Sequence, residues 1–201
     1  MARLILASAS PRRKLLLEQA GYNFEIIESC IDETIVGTAG FCVETLALRK
    51  AKAVAEKVGD NAIIIAADTL VSIDGRVLEK PKDHAEAFDM LRLLSGNKHT
   101  VYTGVAIIAT LGGGQSPALH FVESTDVFFR HLTDQEIHAY IATKEPFDKA
   151  GAYGIQGYGA TLVHRIEGCF YSVMGLPIAR LHVELSKIVD YKTNLLSAMG
   201  G

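Results

Sequence analysis

The sequence lacks the features that would place it in a membrane, on nucleic acid or in an oxidising compartment. Its first apolar stretch, residues 4–7, is far too short for a signal-peptide core or a bilayer span, so the expected address is the cytoplasm, with no membrane partner. Cysteine is scarce. Cys30, Cys42 and Cys169 are odd in number and widely spaced, with no CxxC pair and no disulfide framework, and they read as core or surface thiols. A formal charge of −3 provides no basic field to draw the chain onto nucleic acid, so any anion site has to be built locally. The phosphate-loop and dinucleotide glycine fingerprints are missing, which argues against a Walker-type kinase or a nicotinamide enzyme. Seven histidines are scattered without the spacing of metal ligands.

What remains is the balance of an ordinary globule: 201 residues, 49% hydrophobic and 21% charged, with no repeat and no linker, hence one domain over residues 1–201. Residues 3–7 read as a strand, and Ser10-Pro11 as an N-cap with proline at the first helical position, so a helix runs from there to Gly21. Its apolar face is Leu15, Leu16 and Ala20. A second strand is expected over residues 24–28 and a helix over residues 41–58. Residues 62–67 form a continuous apolar run suited to a strand covered on both faces, with Asp68-Thr69 at its carboxyl end, where open α/β sheets place ligands. Asp74-Gly75 marks a hairpin turn that sets Thr69 opposite Lys80 and Asp68 beside it. Strict alternation points Asp68 and Lys80 to opposite faces, a conflict that a break at Pro81 would resolve. Capping boxes at Asp83/Glu86 and Thr133/Glu136 open two further helices. Between these lie long strands over residues 99–109 and 120–130. Residues 145–159 have no usable period, and their four glycines suit a loop whose backbone approaches something closely. Residues 160–166 and 170–173 read as strands, and Pro177 begins a last helix.

Two places carry chemistry. On the wheel of the residue 41–58 helix, Lys50 falls inside the apolar stripe of Val43, Leu46, Ala47, Val54 and Val58; it must snorkel, pair with a carboxylate or line a polar cleft. Ser8, Ser10, Arg12 and Arg13 crowd the first turn of a helix, where free amides and the helix dipole favour an anion. Two hydroxyls and two guanidiniums there describe a phosphate cradle; the plainer alternative is an N-cap with two solvated arginines.

The segment Leu6-Ala7-Ser8-Ala9-Ser10-Pro11-Arg12-Arg13 resembles the opening motif of the Maf family of nucleotide pyrophosphatases. The resemblance continues through Ala67-Asp68-Thr69, Leu78-Glu79-Lys80-Pro81, Leu94-Ser95-Gly96, Tyr102-Thr103-Gly104-Val105, residues 148–157 and Val173-Met174-Gly175-Leu176-Pro177, in family order. It implies an α/β fold with a mixed twisted sheet, flanking helices and two lobes around a deep nucleotide-binding cleft, usually as a homodimer. It also implies cleavage of a nucleoside triphosphate between the α and β phosphates with Mg2+ or Mn2+. Asp68 matches the general base; Ser8, Arg13, Glu33, Lys50 and Lys80 match phosphate- and metal-handling positions, with Glu33 and Asp68 as the metal-side carboxylates. Arg12, Thr69 and Gln156 match selectivity positions of the dTTP/UTP branch, where the 7-methyl-GTP branch has an aromatic, a glutamine and a glutamate. One glutamine amide offers a donor and an acceptor to the N3-H and O4 edge of uracil or thymine, although a flipped amide also fits cytosine. The rivals are a nucleotide-binding regulator of septum formation that does not need catalysis, and a phosphotransferase using the same cleft.

Overall fold

A computed structural model describes residues 2–188; residue 1 and residues 189–201 of the single domain expected over residues 1–201 lie outside the described residues. The strands are β1 (Arg3–Leu6), β2 (Glu25–Ile26), β3 (Ala62–Ile73), β4 (Arg76–Leu78), β5 (Lys98–Leu111), β6 (Gly114–Gln115), β7 (Leu119–Phe129) and β8 (Val163–Glu167). The helices are α1 (Pro11–Gln19), α2 (Ala39–Val58), α3 (His84–Leu94), α4 (Asp134–Ala142), α5 (Phe170–Met174) and α6 (Ile178–Ile188). Together the strands form one mixed sheet in the order β2-β1-β3-β5-β7-β8, with β4 added to β3 and β6 to β5. The mixed sheet with flanking helices expected from the sequence is therefore present.

The long strand β3 is the spine. One of its edges pairs with β5 from Ala62 to Ser72. The other edge is shared: β1 runs parallel to residues 62–65, and β4 runs antiparallel to residues 71–73. Residues 66–70 thus border an opening between β1 and β4. Alternation along β3 sends Ile63, Ile65 and Ala67 to one face, where they pack with Leu16 and Leu17 of α1 and Leu181 of α6. On that same face, Val71 and Ile73 join a second cluster with Leu91 of α3 and Ile137 of α4. These clusters are the cores of the two lobes, and Thr69, Thr103 and Thr125 lie where one cluster gives way to the other. The opposite face, with Ile64 and Ala66, is covered by Ala47, Ala51 and Val54 of α2.

Several expectations need correction. Asp68-Thr69 does not end a strand: β3 continues four residues beyond the pair, to Ile73. A polar pair within an apolar run resembles a terminus, but here β5 pairs straight through it, Asp68 with Gly104 and Thr69 with Thr103. Residues 170–173 form helix α5, not a strand; the β-rich composition of Phe-Tyr-Ser-Val is overridden by tertiary context, and Gly175 ends the turn at φ 114°. The strand expected over residues 160–166 begins only at Val163, and the residue 145–159 loop contains three 3-10 turns. In α1, Leu15 is exposed, and Arg13, Leu16 and Leu17 are the buried residues. The Thr133/Glu136 capping box forms in full. At α3, Asp83 accepts from the Glu86 amide, whereas the Glu86 carboxylate accepts from the amide of Lys82, so that box is not reciprocal.

Candidate active site

The first cluster is built on α2. A 20-residue helix with one buried stripe presents Lys50 to the sheet, and the approach is close because β5 has Gly104 there: a Cβ at Gly104 would collide with the backbone carbonyl of Val43. Gly104 pairs with Asp68, so α2 is pressed against the sheet beside that carboxylate. Lys50 Nζ lies 2.6 Å from Asp68 Oδ1 and 2.9 Å from Glu33 Oε1. Lys50 and Asp68 are buried while Glu33 is more than half exposed, on the segment before α2 that carries neither helix nor strand. The lysine in the apolar stripe therefore pairs with carboxylates, one of the three outcomes its position allowed. A buried ammonium without a partner would be costly, and here one charge serves two acids.

The second cluster is built on α1. Ser10 takes the N-cap position without a side-chain capping bond, so the first-turn amides have no side-chain acceptor from it. Instead Ser8 Oγ accepts from the Ser10 amide at 3.3 Å. Arg13, on the buried face, donates through Nε to the Gly175 carbonyl at 2.9 Å, through Nη1 to Ser8 Oγ at 2.9 Å and through Nη2 to Thr69 Oγ1 at 3.1 Å. Burial draws the Arg13 pKa down from its ordinary value, and the nearby Asp68 carboxylate opposes the change. A desolvated guanidinium with its orientation fixed by three acceptors favours an anionic ligand.

Arg12 faces outward and pairs with Asp148 at 2.8 Å, and the other oxygen of Asp148 holds Lys149 at 2.6 Å. This joins α1 of one lobe to the 3-10 turn Glu145–Asp148 of the other. Burial works to raise the Asp148 pKa, but hydrogen bonds from Lys149 and Arg12 outweigh it and leave it below the usual range. Lys80 lies two residues beyond β4, is exposed, and among the described residues has no hydrogen bond or ion pair. The register extends as expected, Val71 opposite Leu78, yet Lys80 is not drawn onto Asp68, because the ladder ends before reaching it. Gln156 is also exposed, at the start of the 3-10 turn Gly157–Thr161, with no side-chain capping bond. The structure thus brings Lys50, Glu33 and Asp68 together on one ammonium and Ser8, Arg13 and Thr69 together on one guanidinium. Lys80, Gln156 and Arg12 stand outside these two sets.

Sequence reasoning passed over Glu145. Its carboxylate accepts from the Tyr140 hydroxyl at 2.9 Å and from the amides of Tyr158 and Gly159 at 3.0 and 3.2 Å. It thereby fixes the turn that follows Gln156. No sequence period marks it, because its partners are mainly backbone amides.

The model of the Maf-like protein family matches residues 3–188. The chain belongs to the Maf family. It is 54% identical over 189 residues to a dTTP/UTP pyrophosphatase of Bacillus cereus, an alignment covering 93% of this chain and 96% of the relative. A dTTP/UTP pyrophosphatase of Bacillus anthracis is 53% identical with the same coverage. Among solved structures, a HAM1 protein from Coxiella burnetii superposes with a TM-score of 0.56 at 16% identity, covering 93% of this chain and all of that one, which is a likeness of fold. Among the described residues, no helix is long and apolar enough to cross a membrane, and no group of three or more His, Cys, Asp and Glu side chains is placed to hold a metal.

Proposed function

We propose that this Maf-family protein hydrolyses nucleoside triphosphates, dTTP and UTP foremost, to the monophosphate and pyrophosphate, clearing the nucleotide pool as a single-domain cytoplasmic homodimer. The observation that carries this reading is the convergence of Glu33 and Asp68 on the buried Lys50, one residue along β3 from the threonine that Arg13 holds with Ser8. Asp68 and Thr69 alternate to the two faces of β3 beside its opening, and this supports a carboxylate base on α2's side working next to the Arg13 cation that Thr69 holds on α1's side. The 54% identity to a curated dTTP/UTP pyrophosphatase supports the same assignment.

In the proposed reaction a water oxygen attacks the α phosphorus, Asp68 takes the water proton, and the bond to the bridging oxygen breaks to release pyrophosphate. Arg13 and the Ser8 hydroxyl hold phosphate oxygens, and Lys80, without a hydrogen bond or ion pair among the described residues, turns onto the leaving group. Lys50 balances Asp68 and fixes its orientation. Two carboxylates suit Mg2+ or Mn2+, which typically bind through one or two acids plus substrate oxygens and water, so Glu33 and Asp68 would hold the ion with the triphosphate. Such an ion supplies charge neutralisation and polarises the bond to be broken. Arg12 and Gln156 face the nucleoside.

The test is a panel of canonical and modified nucleoside triphosphates, incubated with purified protein and Mg2+ and analysed by anion-exchange chromatography. The expected result is pyrophosphate and monophosphate, fastest from dTTP and UTP. No pyrophosphate from any nucleotide would overturn the proposal.

A further inference from the structure

The Tyr102-Thr103-Gly104-Val105 block contains a residue that the proposed reaction does not use. Thr103 is fully buried in the middle of β5, directly opposite Thr69. Its hydroxyl lies 2.7 Å from the Ser172 carbonyl of α5 and 3.0 Å from the Thr69 hydroxyl. A carbonyl has no proton to give, so the single Thr103 proton is committed to Ser172. The proton between the two threonines must then come from Thr69. Arg13 Nη2 occupies one Thr69 lone pair, at 3.1 Å. One lone pair is left on a partly exposed hydroxyl, and that hydroxyl can only accept.

Ser8 has the opposite constraint. Its oxygen accepts from Arg13 Nη1 at 2.9 Å and from the Ser10 amide at 3.3 Å, so both lone pairs are used and its proton remains to be donated. One guanidinium therefore carries two hydroxyls of opposite polarity. Ser8 suits a phosphate oxygen; Thr69 repels one and suits an N–H or O–H.

We propose that Thr103 is a specificity-positioning residue that holds Thr69 as an acceptor only, so that this side of the cleft selects a nucleoside presenting a hydrogen-bond donor. The proposal rests on the nucleotide reading above. Two parts of a thymine or uracil nucleotide have the required chemistry, the imino N3-H of the base and the 3′-hydroxyl of the sugar.

The test measures Kd by calorimetry, so it does not depend on turnover. The probes are dTMP, N3-methyl-dTMP, 3′-deoxy-dTMP and inorganic pyrophosphate, on the native protein, Thr103→Val and Thr103→Ser. On the native protein the analogue lacking the donor that Thr69 reads should bind about 5- to 150-fold more weakly than dTMP, the loss expected when an acceptor goes unpaired; because Gln156 also faces N3-H, the donor is identified by the analogue whose penalty changes in Thr103→Val. In Thr103→Val the Thr69 proton is released to the cleft, so that penalty should shrink while pyrophosphate affinity is kept; Thr103→Ser retains the hydroxyl and should restore the native ratio. A loss of pyrophosphate affinity in step with dTMP would mean a merely structural role and overturn the proposal, as would an unchanged ratio in Thr103→Val. If the valine variant does not fold, the native protein still decides: equal binding of dTMP and both analogues refutes the proposal. Binding of dTMP without turnover of dTTP would overturn the proposed activity alone, and failure of dTMP to bind would overturn both.

Discussion

Replacing Asp68 by Asn removes a charge without changing shape, and the structure separates its effects on chemistry and on stability. For chemistry, the proposed base can no longer take a proton, and losing a positioned base costs about 100- to 10,000-fold, or about 3 to 5.5 kcal/mol of barrier. For stability, breaking a buried ion pair by removing one partner typically costs about 3 to 5 kcal/mol. Here the cost should be smaller, because Glu33 stays on the Lys50 ammonium at 2.9 Å and the amide oxygen of Asn can still accept the bond that Asp68 makes at 2.6 Å. A loss of about 1 to 2 kcal/mol remains, which in a chain of this size lowers Tm by about 2 to 8 °C. The assay is pyrophosphate release from dTTP, beside thermal unfolding followed by circular dichroism. A folded Asp68→Asn protein turning over within a few-fold of the native rate would remove Asp68 from the mechanism. Complete unfolding instead would mean that Glu33, more than half exposed, does not balance the buried lysine.

Excess chelator should silence the enzyme and Mg2+ or Mn2+ restore it, with pyrophosphate as the phosphate product; full activity in metal-free buffer, or orthophosphate as product, would contradict the site geometry proposed. Gln156→Glu should lower kcat/KM for dTTP and UTP by about 5- to 150-fold, since an acceptor would then face the O4 of the base; an unchanged ratio of 7-methyl-GTP to dTTP activity would show that Gln156 does not read the base. Acid should destabilise the fold through His99, which is buried against Tyr153 and whose pKa burial lowers to about 4. The unfolded chain binds a proton near pH 6.5 that the native histidine refuses, so this stability is present above pH 6.5 and falls by about 3 kcal/mol as pH drops towards 4. In His99→Asn, urea unfolding measured across that window should lose the slope; a slope equal to the native one would place its origin elsewhere.

Local signals in the sequence proved readable where the physics is local. Ser10-Pro11 opens α1, Thr133 with Glu136 forms a complete capping box, and Asp74-Gly75 turns β3 into β4. Lys50 stands out as an anomaly because a charge in an apolar stripe demands a partner, although only the family resemblance, and no local pattern, groups it with Glu33 and Asp68, 17 residues before and 18 after it. Asp68 and Thr69 were misplaced because polarity within a strand looks like its end unless the helix covering it is known to bring a lysine. Thr103 stands in a matched block, but nothing local gives it, Thr125 or Ser172 a role: a hydroxyl in a β-rich segment reads as ordinary strand composition, and only the packing of α5 on β5 and β7 brings the three together. Arg13 appeared as half of a basic pair, whereas burial singles it out as the cation with a fixed direction.

Because β3, β5 and β7 run unbroken from one apolar cluster into the other, the lobes share a floor of paired backbone and no loop joins them there. Bringing the lobes together would mean twisting three hydrogen-bonded strands, not rotating a few torsions, and a pleated ladder resists that far more than a connecting turn does. Substrate arrival is then best met by the parts that lie over the floor: the Glu33 segment ahead of α2, and the Arg12–Asp148 pair that bridges the rim and is exposed enough to part at small cost. On the proposed function, the strands would stay a fixed bed and side chains at the mouth would set the grip on the nucleotide.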